Sequence, residues 1–71
     1  ELKMLLTNED KLEASIAMCQ GDTFRRGNVI LFPLDSEYCV QKTIGPVSDK
    51  NRVITRSWAE ALNTFEMFAE V

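Results

Sequence analysis

The sequence predicts an α+β domain in the order α-β-β-β-α, a three-stranded antiparallel meander packed on one face by the C-terminal and the N-terminal helix. Three observations predict it. Asn28–Ile44 (NVILFPLDSEYCVQKTI) holds a continuous apolar run and then an alternating one, separated by turn residues. Ser57–Val71 opens with an S-x-x-E capping signal and continues with helical apolar spacing. Thr7–Gln20 carries a second, weaker helical pattern that ends at Gly21.

Leu2–Leu6 is apolar but too short to assign to strand or helix. Thr7-Asn8-Glu9-Asp10 then has the form of a capping box, with Thr7 accepting from the amide three residues on and Asp10 reaching back. Helical spacing from there to Gln20 places Leu12, Ile16 and Cys19 on one narrow face, the expected core face, with Met18 pointing to the opposite side. Gly21 is placed for the left-handed residue that closes such a helix. Thr23–Gly27 reads as a connector carrying Arg25 and Arg26.

Val29–Leu34 reads as a strand covered on both faces or central in the sheet. Glu37–Ile44 alternates, with Tyr38, Val40, Lys42 and Ile44 on one side. A two-residue loop at Asp35-Ser36 pairs Ile30 with Gln41, and a three-residue loop pairs Phe32 with Tyr38 and Ile30 with Val40. Cross-strand pairs of β-favouring residues contribute about 0.2–1 kcal/mol each, which favours the three-residue loop. Gly45–Asn51 is loop by composition, and Arg52–Thr55 is a short third strand. In the last element Trp58, Ala61, Leu62, Phe65, Phe68 and Ala69 form the core-facing stripe, and Glu60, Asn63, Glu66, Met67 and Glu70 face away.

Seventy-one residues make a single domain, 1–71, with room for one core. No run reaches the roughly 20 apolar residues of a membrane span. Cys19 and Cys39 have no disulfide-framework spacing and read as buried free thiols, which points to a reducing, cytoplasmic setting. Charge is segregated. Residues 1–24 hold two bases and five acids, 25–56 six bases and three acids, and 57–71 three acids and no base, within a total of −3.

The residue inventory argues against catalysis. There is no histidine, which removes the commonest general base and most zinc sites. No phosphate-cradling glycine pattern appears, and neither a cofactor nor a metal is implied. The expectation is therefore a non-catalytic protein-interaction module, a small regulator or inhibitor of a larger protein of the kind phages and mobile elements encode. Its binding surface would be the acidic helix face of Glu60, Asn63, Glu66, Met67 and Glu70. The alternative is nucleic-acid binding by a basic sheet and its loops, through Arg25, Arg26, Lys42, Lys50, Arg52 and Arg56. Double-stranded-RNA-binding domains share the element order, but they grip phosphate with lysines at the start of the second helix, where this chain reads SWAEAL.

Overall fold

A computed structural model of the chain describes residues 5–45 and 50–69. Six elements follow one another: α1 (Asn8–Gln20), β1 (Phe24–Arg26), β2 (Val29–Leu34), β3 (Glu37–Lys42), β4 (Arg52–Thr55) and α2 (Trp58–Phe68). The strands form an antiparallel sheet in the order β1-β2-β3-β4, so each strand lies beside its neighbour in sequence. The fold is the expected α+β domain with one strand more than expected. Phe24–Arg26, read from sequence as a connector, pairs with β2 through a two-residue link, Gly27-Asn28. Gly27 takes φ of 57°, the left-handed conformation that glycine adopts without the penalty of a Cβ.

Register at the β2–β3 turn corrects the sequence expectation. Leu34 pairs with Glu37 and Ile30 with Gln41, so the loop is the two-residue Asp35-Ser36 rather than a three-residue one. Asp35 supplies φ of 53° at the first loop position, as tight hairpin turns require. Pairwise apolar matching misjudged this register because β2 is apolar on both sides, and the turn decides which side meets the helices.

That side is occupied by Val29 and Leu31 of β2, Phe24 of β1, Val40 of β3 and Val53 of β4, which face one another through the pairings Phe24–Leu31–Val40–Val53. Phe65 of α2 is fully buried against them, its ring 5.3 Å from that of Phe24. Trp58 lies against Tyr38 at 5.1 Å, and the Lys42 ammonium lies over the Phe68 ring at 5.4 Å. Ala61, Phe65 and Ala69 are buried and Trp58, Leu62 and Phe68 pack around them, which is the stripe the sequence indicates. Ser57 caps this helix, accepting from the Glu60 amide at 3.2 Å, and its own amide donates to the Thr55 hydroxyl.

The N-terminal helix is capped as expected. Thr7 Oγ1 accepts from the Asp10 amide and Asp10 Oδ2 from the Thr7 amide, both at 3.1 Å, while Gly21 closes the helix at φ 75°. Its inward face differs from the expected one. Ala14 is fully buried and Ala17 and Met18 pack on the core, whereas Leu12, Ile16 and Cys19 are exposed. Two ionic contacts accompany this seating. Arg26 bonds to Asp10 (Nε–Oδ1, 3.2 Å) and to Glu13, and small alanines let the helix sit close over β1 and β2. Leu5 and Leu6 precede the helix without regular structure; Leu6 is buried, and its amide donates to Glu66 Oε2 at 2.8 Å. The rest of the 2–6 segment lies outside the described residues, as do four residues of the expected 45–51 loop.

Candidate interaction surface

Both helices pack on one side of the sheet, and no element of the described residues covers the other. The register fixes what it presents. One row across the strands is Arg25–Ile30–Gln41–Arg52, with an arginine at each edge of the sheet. The next is Phe32–Cys39–Ile54, and beyond it Leu34 pairs with Glu37. Arg56 follows β4 and reaches toward Glu37 at 3.9 Å.

The middle of this surface is apolar and partly accessible. Ile54 is 46% and Leu34 39% exposed, and Ile30 and Phe32 are half-buried. Cys39 lies between Phe32 and Ile54 in its row and is only 1% exposed, although it stands apart from the helix-side core. Burial pushes its thiol pKa up, and nearby Arg52 offsets part of that rise. A raised thiol pKa means a smaller thiolate fraction, so Cys39 is a packing residue rather than a poised nucleophile. Cys19, expected to be buried, is exposed on α1.

The six bases of the middle segment separate by side. Arg25 and Arg52 stand on the uncovered surface and Arg56 joins them at its end, all three exposed. Arg26 points to the helix side. Burial works against its charge, but hydrogen bonds from its guanidinium to Glu13 and Asp10 raise its pKa above the ordinary value. It also lies over the Phe24 ring at 4.6 Å. Lys42 is on the helix side against Phe68, and Lys50 is exposed ahead of β4. A basic sheet in the sense of six clustered cations is therefore not formed.

The acidic face of α2 is also divided. Glu60, Asn63 and Met67 are exposed, with Met67 at 48%. Glu66 is half-buried and accepts the Leu6 amide, so it fastens the segment before α1 to α2. Glu70 lies outside the described residues. Met18, expected outside, packs against the core.

Ile30, Phe32, Leu34 and Ile54 were not singled out from sequence as surface residues. The available signal was arithmetic. A single layer of two helices covers one face of a sheet, so half of any continuous apolar strand must face away from it. Among the described residues no three side chains of histidine, cysteine, aspartate or glutamate group to hold a metal ion, and no helix is long and apolar enough to cross a membrane. Comparison with protein-family models, with curated proteins and with solved structures finds no match to this chain.

Proposed function

We propose that this domain is a non-catalytic protein-interaction module whose principal contact surface is the uncovered side of the sheet. One observation carries the reading: Ile30, Phe32, Leu34 and Ile54 form a contiguous apolar patch framed by Arg25, Arg52 and Arg56. Single exposed apolar residues are ordinary, whereas a connected patch with a polar rim is the composition of a protein interface, where arginine is enriched. The acidic α2 surface around Glu60, Asn63 and Met67 is a second, smaller contact region. The module's size suits a regulator or inhibitor of a larger protein.

The test is affinity capture by the immobilised domain from nuclease-treated extract of its source cells. Wild type is compared with Ile54→Asp, which sets a carboxylate in the patch at a half-exposed position, and circular dichroism checks that both are folded. Capture of a protein by the wild type and its loss with Ile54→Asp is the expected result. Undiminished capture by Ile54→Asp would remove the sheet surface from the reading.

Nucleic-acid binding is the second reading, favoured by Arg25 and Arg52 at the two edges of one row with the Phe32 ring in the next. Three aliphatic side chains surround that one ring, which suits protein side chains better than stacked bases. Amide shifts on titration with short DNA and RNA at low salt, confined to this surface and reversed by added salt, would favour nucleic acid instead.

A further inference from the structure

We propose that the occupant of the uncovered sheet surface is the helix layer of a second copy of this chain, joined head to tail. The inference rests on the reading of that surface as a protein contact and names its partner. The helices carry their own unpartnered apolar side chains on the side away from the sheet: Leu12 is 63% exposed, Ile16 49% and Met67 48%. Leu12 and Ile16 are four residues apart on α1, opposite the buried Ala14, and Met67 lies opposite the buried Phe65 on α2. The domain thus has two incompletely covered apolar surfaces on opposite sides of a two-layer structure.

Charge decides how such surfaces combine. The described helices hold five acids, Glu9, Asp10, Glu13, Glu60 and Glu66, against one base, Lys11. Asp10 and Glu13 are engaged by Arg26 and Glu66 by the Leu6 amide, which leaves Glu9 and Glu60 exposed in the first turns of the two helices. The sheet surface holds three arginines against Glu37. Pairing two sheet surfaces sets arginine against arginine, and pairing two helix layers sets carboxylate against carboxylate. Helix layer on sheet surface opposes unlike charges and buries both apolar sets. It also repeats the helix-on-sheet packing that the domain uses on its covered side. Such an interface is heterologous: each copy that binds leaves one surface of each kind free for the next, so association does not stop at two.

The experiment uses Ile16→Asp, which spoils the helix layer, and Ile54→Asp, which spoils the sheet surface, both at exposed positions and both checked for wild-type circular dichroism. Masses are measured by sedimentation velocity and light scattering across a concentration series. Wild type should exceed the mass of a dimer as concentration rises. Each variant alone should remain at the 8.1-kDa monomer. Their equimolar mixture should form a one-to-one dimer of twice that mass and no larger species, because only one productive interface exists in it. A wild type that stays monomeric throughout, a mixture that stays monomeric, or a variant that associates like wild type overturns the proposal. A monomeric wild type whose foreign-protein capture is lost with Ile54→Asp would remove the second copy as occupant and leave the sheet-surface reading intact.

Discussion

The same substitution made on the two sides of the fold provides a direct test of its packing. Leu31 on β2 is fully buried, whereas Leu12 on α1 is 63% exposed. Truncating a buried leucine to alanine costs about 2–5 kcal/mol, the sum of lost transfer energy and the cavity left behind. Burying a whole leucine side chain is worth about 1.5–3 kcal/mol, and Leu12 is only about one-third covered, so its truncation should cost about 0.5–1 kcal/mol. Alanine is also a slightly better helix former. At about 0.05–0.15 kcal/mol per residue the whole domain is stable by about 4–10 kcal/mol, so Leu31→Ala removes a large part of it. Urea unfolding followed by circular dichroism reads the difference. With a slope of about 1 kcal/mol/M for a chain this small, the midpoints of Leu31→Ala and Leu12→Ala should lie about 1 M or more apart. Equal losses, or a larger one for Leu12→Ala, would show that α1 seats Leu12 and Ile16 inward and would refute both the packing described and the outward apolar stripe.

Two other outcomes follow from the side-chain environments. The Asp10 carboxyl is held below its ordinary 3.8, chiefly by the Thr7 backbone amide; burial opposes this, and the Thr7 hydroxyl and Arg26 lower it further. A carboxyl depressed in the folded state adds stability above its unfolded pKa and loses it as pH falls through the folded value. Thermal melts between pH 5 and 2 should therefore fall less steeply for Asp10→Asn than for wild type, and equal slopes would contradict the cap and ion-pair geometry. The two thiols should react with a disulfide reagent in separate phases, exposed Cys19 at once and buried Cys39 only on unfolding. Two equally fast thiols in the native protein would contradict the burial of Cys39.

The parts of the fold legible in the sequence are those specified locally. The Thr7–Asp10 reciprocal cap, the Gly21 terminus and the Ser57 cap are each written within four residues, and all three are formed. The α2 stripe was legible because its aromatic side chains, Trp58, Phe65 and Phe68, all fall on one side. On α1 large apolar residues occupy one side and alanines with Met18 the other, so spacing weighted by size chose the wrong side. The buried face is the alanine face, and the contacts of Arg26 with Asp10 and Glu13 that accompany it are non-local, sixteen and thirteen residues apart in the chain. β1 was hidden because FRR is three residues long and mostly charged, although Gly27-Asn28 is a recognised two-residue hairpin link. The candidate surface was partly legible through Arg25, Arg52 and Arg56. Its apolar centre was not, since it depends on knowing which side of β2 the helices cover.

The Leu6–Glu66 hydrogen bond spans sixty residues and brings the two ends of the described fold together. Every strand-to-strand link is short or between sequence neighbours, so this contact and the packing of α2 are what close the structure. A described fold whose Leu6 lies within one side chain's reach of α2 near its end can be carried as a graft: set into a surface loop of an unrelated host between those two points, it would ask that loop to open by little. The same proximity makes it a candidate for circular permutation, with a bridge joining the segment before α1 to the end of α2 and new ends cut at Asp35-Ser36, a turn far from that junction in sequence.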